Sequence, residues 1–319
     1  MRLVALVVAL LLVGLSAGLA YAVFSDPAPV TGNAFSTKAD WQEPVVSESV
    51  IAKTVGYAPG FIKQNGAYYV YANVADGGNP PSGISTVTAN IATITTGQTA
   101  VTMTAGSYSV GGVSYNYRTA SVTSNTTLTA GVYSYSIATT DAGGNAGTTN
   151  GLTVEVDNTA VSASDIQTAN GGAIIGRADQ GDTITYTFSE PVDPNSILAG
   201  WTGASTSVVV RLNDIFLGND TVTIFNAANS SQLPLGSINL GRGDYTSSNR
   251  TFGATGTAST MVMSGSTITF TLGTQSGSAT TAGGNGTMSW SPSSTATDRA
   301  GNACTTTSRS ETGTSDKEF

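Results

Sequence analysis

The chain contains no histidine, and its one cysteine is Cys304. Without histidine there is no Ser-His-Asp triad, no Cys-His dyad and no His-ligated zinc or haem. One cysteine leaves no intramolecular disulfide, Cys-rich zinc site or iron–sulfur cluster within a single chain. Charge is scarce as well, at 10% of residues against about 25% in an average soluble domain. Basic groups are the scarcer sign, 12 Lys+Arg against 20 Asp+Glu for a net charge of -8. That balance disfavours nucleic acid and anionic lipid as partners.

What is present is Thr, Ser and Gly: 49 Thr, 37 Ser and 38 Gly among 319 residues. The chain is still 39% hydrophobic, enough to build cores, and its few charges repel weakly, so low charge does not mean disorder here. Thr, Val, Ile and Tyr suit strands, whereas Gly, Asn, Asp and Ser suit turns. The composition predicts an all-β, exported protein that works without catalysis.

The N-terminus reads as an export signal. Met1-Arg2 is a minimal positive start, Leu3 to Leu19 is an uncharged apolar run, and Ala20-Tyr21-Ala22 has the A-x-A form of a signal-peptidase site. Cleavage after Ala22 leaves 297 residues. The competing reading is an uncleaved anchor, because the 22 uncharged residues from Leu3 to Phe24 are long enough to span about 30 Å of hydrocarbon. A membrane contact is expected only through this segment. The expected divisions are residues 1–22 as signal or anchor, 23–56 as an extended leader, 57–160 and 161–308 as two β modules, and 309–319 as a polar tail.

Short alternating segments recur about every ten residues, the spacing of a sandwich. Gly131 to Thr139 alternates strictly, with Tyr133, Tyr135 and Ile137 on one face and Val132, Ser134 and Ser136 on the other, so one face is buried and one exposed. Ile184, Tyr186 and Phe188 share a face in the same way. Further strands are expected at Ala67–Val74, Ile84–Ile94, Val101–Thr104, Tyr108–Val122 and Gly151–Asp157, with loops at 218–236 and 241–256. An Asp-x-Ala-Gly-Asn turn recurs late in each module, in full form as Asp298-Arg-Ala-Gly-Asn302 and with Gly143 in place of the Ala as Asp141-Ala-Gly-Gly-Asn145. The recurrence predicts two related modules rather than one long domain.

These turns, the Tyr-x-Val-x-Ala-x-Val-x-Asp strand at 68–76, the Val156-Asp-Asn-Thr159 exit and the Thr187-Phe-Ser-Glu-Pro191 strand end carry a resemblance to the bacterial immunoglobulin-like domains that repeat in large surface proteins. The fold implied is a tandem pair of antiparallel Ig-like β-sandwiches following an N-terminal signal or anchor helix. Residues 22–37 resemble the leader of fibre-forming proteins processed by a SipW-type signal peptidase, through an aromatic-Ser-Asp after the cleavage site. Some Ig-like arrays of this kind use calcium between domains. In that reading Asp141, Asn145, Asp157 and Asn158 gather at the exit of the first module and help hold a structural calcium ion, with Asp298 and Asn302 as counterparts in the second. The mechanical reading stands beside it: Asp accepts backbone N–H groups and Gly and Asn reverse the chain. No other cofactor is expected.

The remaining candidates concern ligands. Trp201 and Trp290 suit either a sugar-stacking face or a sandwich core. Arg242-Gly243-Asp244 is the tripeptide that integrins read, and it falls in a loop expected to bind. The acids Asp179, Asp182, Glu190 and Asp193 fit turn capping better than the facing carboxylates of a glycosidase. Five Asn-x-Ser/Thr sequons, at Asn125, Asn219, Asn229, Asn249 and Asn285, match the number that so much Ser and Thr produces by chance. Cys304 is expected to be buried, with a disulfide-linked dimer as the alternative. The function these features predict is that of a non-enzymatic cell-surface spacer or adhesin-like module whose partner is an extracellular protein or glycan. Alternatives are a filament subunit assembled by strand addition and a carbohydrate-binding module.

Overall fold

The computed structural model describes residues 40–319, so the signal, its cleavage residues Ala20 and Ala22 and the SipW-like leader lie outside the described residues. The described chain is all-β and forms two sandwiches. The first comprises β1 (Val45–Lys53), β2 (Phe61–Ile62), β3 (Ala67–Ala75), β4 (Ile84–Asn90), β5 (Val101–Val110), β6 (Val113–Thr119), β7 (Val122–Thr123), β8 (Gly131–Asp141) and β9 (Ala146–Val156). Its strands run in the order β1-β3-β6-β5-β4-β8-β9-β2, with β7 beside β3; only β2–β9 is parallel. The path folds over so that Tyr68, Val70 and Ala72 of β3 share a core with Val87 of β4, Ile137 of β8 and Val154 of β9.

The second sandwich comprises β10 (Ala163–Ala169), β11 (Thr183–Phe188), α1 (Pro194–Ile197), β12 (Thr206–Asn213), β13 (Thr221–Asn226), β14 (Ser237–Asn239), β15 (Arg250–Phe252), β16 (Ser259–Ser264), β17 (Thr267–Thr271), β18 (Ser289–Ser291) and β19 (Arg309–Ser310). The order is β10-β11-β17-β16-β12-β13-β14-β18-β19, with β15 beside β12. Its first strand returns to its last two, where Arg309 Nε donates to Ser164 O at 2.8 Å. Inside, Tyr186 and Phe188 pack edge-on against Trp290, and Phe270 packs against Tyr186. Each such side chain contributes about 1.5–3 kcal/mol by leaving water. Both predicted alternations hold: Tyr135 and Ile137 are buried beside an exposed Val132, and Ile184, Tyr186 and Phe188 are all buried.

Three boundaries differ from the expectation. Residues 45–53, expected as leader, are β1, paired along β3 from Val45↔Ala75 to Lys53↔Tyr68. Tyr108–Val122 is not one strand, because Gly111 and Gly112, at φ +61° and +80°, reverse the chain between β5 and β6 as a tight hairpin turn requires. The third concerns residues 309–319, expected as a polar tail, where Glu318 and Phe319 are buried and the Phe319 ring lies edge-on to Tyr245 at 6.1 Å.

Candidate functional site: the junction between the sandwiches

The repeated turn is the same object in both sandwiches. Asp141 accepts from Asn145 N at 2.7 Å and from Asn145 Nδ2 at 2.6 Å. Asp298 accepts from Asn302 N at 2.8 Å and from Asn302 Nδ2 at 2.7 Å. Each asparagine amide also donates to the segment leading into its own sandwich, Asn145 to Asp40 O at 3.1 Å and Asn302 to Asp157 O at 2.9 Å. The Asp locks the turn and the Asn ties it to the incoming chain.

That geometry divides the calcium candidates. Asp141 closes the β8–β9 hairpin, whereas Asp157 follows the opposite end of β9, where Val156 pairs with Gly131. Eleven residues of β9 separate them by roughly 30 Å at about 3.3 Å per residue. The expected grouping at one exit is therefore corrected. Asp141 lies with Asp40 and Asp76, and Asp157 with Glu190 and Asp298, each group bringing one oxygen per carboxylate within 4.8 Å of the others. Asn158 belongs to neither group. Its Oδ1 accepts from Gln64 N and its Nδ2 donates to Leu128 O, both at 2.8 Å, so its amide fastens the linker to the first sandwich.

The second group sits in a built interface. From the first sandwich, Lys53 pairs with Asp193 at 2.5 Å and also donates to Arg299 O. Lys63 donates to Gly301 O at 2.6 Å. Tyr57 N donates to both oxygens of Asp193 at 3.1 Å, and the Arg299 guanidinium stacks 3.8 Å from the centre of the Phe61 ring. Asp193 is placed by its own element: it caps α1 through Asn195 N, with Pro194 preset for the first helical turn. Gly56, at φ +132°, passes so close that a side chain there would meet the Asp193 carboxylate. A cleft of about 400 Å³ remains beside these contacts, lined among others by Lys53, Lys63, Asp193, Ser196 and Gly301. Reading the sequence singled out Asp157, Asp193, Asp298 and Asn302 but missed Lys53, Gly56, Tyr57, Phe61 and Lys63. The signal was scarcity, for the whole chain has four lysines and two of them meet here.

Burial first, then the Asp157 carboxylate, pushes the Glu190 carboxyl up from 4.5 to about 7. Burial also raises Asp298, against the donors from Asn302 and Gly301 that pull it back. A carboxyl whose folded pKa is raised contributes stability that is full below its ordinary value and lost as pH rises through the folded one. For Glu190 that window runs from 4.5 to about 7. The melting temperature of the second sandwich is therefore expected to fall as pH rises from 4.5 to about 7, and Glu190→Gln to flatten part of that fall. A variant whose pH profile superimposes on the wild type would contradict it.

The ligand candidates are placed differently from the expectation. Trp201 is 5% exposed, belongs to the second core and donates Nε1 to Ala204 O at 2.6 Å; Trp290 is fully buried. Neither offers a face to a sugar, which decides for the core over the ligand-facing role at Trp201 and Trp290. Arg242 and Asp244 close on each other, Nε to Oδ1 at 2.9 Å and Nη2 to Oδ2 at 2.5 Å, so the tripeptide is folded shut rather than extended for a receptor. Asp179 and Asp182 cap the turn at 171–182 by accepting from Ala173, Gly171 and Gly172 N. Cys304 is buried, and burial pushes its thiol up to about 11. Since the thiolate is the nucleophile, native protein should resist iodoacetamide near neutral pH and react only in denaturant, as intact mass spectrometry would show. Rapid native labelling would contradict the burial. Compared with known proteins, the chain matches no family model and no curated protein.

Proposed function

We propose that the chain is a non-enzymatic exported protein of the cell surface, in which two β-sandwiches, related to bacterial Ig-like domains, form a stiff spacer that displays a binding surface. The observation that carries the reading is the junction. A flexible linker would leave Lys53, Lys63 and Asp193 in water, whereas here they are spent on holding one sandwich to the other. The apolar run before Ala20-Tyr21-Ala22 supports export. At the junction, a structural calcium ion beside Asp157, Glu190 and Asp298 fits the same role, since oxygen-only ligands suit a hard cation.

The display surface we assign to the outer end of the second sandwich. Between β12 and β13 the side chains of Phe216 and Leu217 are 89% and 92% exposed. The base of that loop is fixed, because buried Asp220 accepts from Tyr245 N and Thr246 N at 2.9 and 3.0 Å. Apolar side chains on a rigid base are what an extracellular protein partner would engage. The test is adhesion of cells displaying the protein. Phe216→Ser with Leu217→Ser should abolish attachment while leaving the melting temperature within about 2 °C, as surface changes do. Unchanged attachment, or protein absent from the surface of intact cells in a protease-shaving assay, would overturn the reading.

A further inference from the structure

Residues 311–318 carry a third group of acids, unrelated to the junction and to the repeated turns. Glu311, Asp316 and Glu318 each bring a carboxylate oxygen within 4.8 Å of the other two. Glu318 is 1% exposed. Its Oε2 accepts from Thr168 Oγ1 at 2.6 Å, but its Oε1 is buried with no N–H or hydroxyl donor, and the carboxyl lies against that of Glu311. The placement is firm: Glu318 N donates to the Tyr245 hydroxyl at 2.7 Å, and Phe319 N donates to Thr168 Oγ1 at 3.1 Å. Glu311 is held by Met288 N at 2.9 Å, and Gly286 N donates to Asp316 O at 2.8 Å. Among the described residues the salt bridges are Lys53–Asp193, Arg177–Asp179 and Arg242–Asp244, and none reaches these acids.

A buried carboxylate oxygen with no donor is costly, and two more carboxylates beside it raise the cost. Calcium binds oxygen at about 2.3–2.6 Å, so two ligands on opposite sides of one ion lie roughly 4.6–5.2 Å apart. Three carboxylates with an oxygen each within 4.8 Å of the others suit a hard cation, and calcium tolerates an irregular oxygen set where magnesium demands a near-ideal octahedron. Zinc and copper prefer nitrogen or sulfur ligands. Asp316 is exposed, which leaves an open side for the waters that complete a calcium shell.

We propose that Glu311, Asp316 and Glu318 form a calcium site that fastens residues 311–319 to the second sandwich. Bound calcium pairs the orphaned oxygen and pins Glu318 and Phe319 against Tyr245 and Thr168. The test is calcium titration of chelator-treated protein by calorimetry, with melting temperature read in parallel. Wild type is expected to bind calcium and to melt higher with millimolar calcium than with chelator, by mass action. Asp316→Asn, at an exposed position that tolerates the change, should weaken binding at least tenfold, and Glu318→Gln should abolish it. Glu190→Gln, at the junction, should leave this binding in place. Absence of calcium binding in the wild type overturns the proposal. So does a calcium stoichiometry that neither Asp316→Asn nor Glu318→Gln lowers, whereas an ion at the junction would be lost in Glu190→Gln alone.

Discussion

Trp290→Ala should unfold the second sandwich at a temperature where the first is still folded. The indole lies edge-on to Tyr186 and Phe188, both at 4.9 Å between ring centres, and its N–H donates to Leu235 O at 2.6 Å. Truncation opens a cavity among these rings and leaves a buried carbonyl without its donor. Phe or Trp to Ala in a core costs about 3–5 kcal/mol, and the lost hydrogen bond adds about 1 kcal/mol. For a domain of this size about 4 kcal/mol corresponds to a shift of roughly 8–16 °C. Calorimetry should show one transition moved by that amount and the other in place, because the core around Tyr68 and Ile137 shares no residue with the core around Trp290. Two transitions moving together would mean that the junction makes the sandwiches one cooperative unit.

The second large effect is expected at the junction itself. Lys53→Met together with Lys63→Met keeps the aliphatic stems, which pack by themselves, and removes the charges. Lost are the Lys53–Asp193 pair and the bonds to Arg299 O and Gly301 O. Breaking a buried pair from one side costs about 3–5 kcal/mol when the other charge is stranded. Asp193 keeps the donors Tyr57 N and Asn195 N, so about 2 kcal/mol is the expected loss. That change falls on the contact between the sandwiches and not on either core. Both melting transitions should stay close to wild type, while small-angle scattering should change from one conformer to an ensemble. Scattering curves identical to the wild type would show that the lysines do not hold the junction.

The parts of this fold that the sequence disclosed are those decided locally. β8 and β11 alternate because one face of each is buried, and a period of two survives any topology. The two Asp-x-Ala-Gly-Asn turns were legible because their bonds close within five residues. Where the reading failed, contacts far along the chain decide the outcome. β1 has a bulge between Val46 and Glu48, which breaks the alternation that would have marked it as a strand. The tail looked polar because Glu318 finds its place through Thr168 and Tyr245, residues 150 and 73 positions away. Lys53 reaches Arg299 across 246 positions, and no local pattern carries that information. Trp201 and the Arg242–Asp244 pair were read by residue type, and the surrounding core or the partner side chain then removed the ligand-facing role.

The central claim is that the two sandwiches hold one mutual orientation. Nitroxide labels at Val132→Cys in β8 and Val262→Cys in β16, both exposed positions, place one probe on each sandwich, while the native thiol at Cys304 stays buried and unlabelled. Pulsed dipolar spectroscopy on the doubly labelled protein should give a single narrow distance distribution, which broadens when Lys53 and Lys63 are both replaced by methionine. A broad distribution in the otherwise wild-type protein would show a free hinge between the sandwiches and contradict the account.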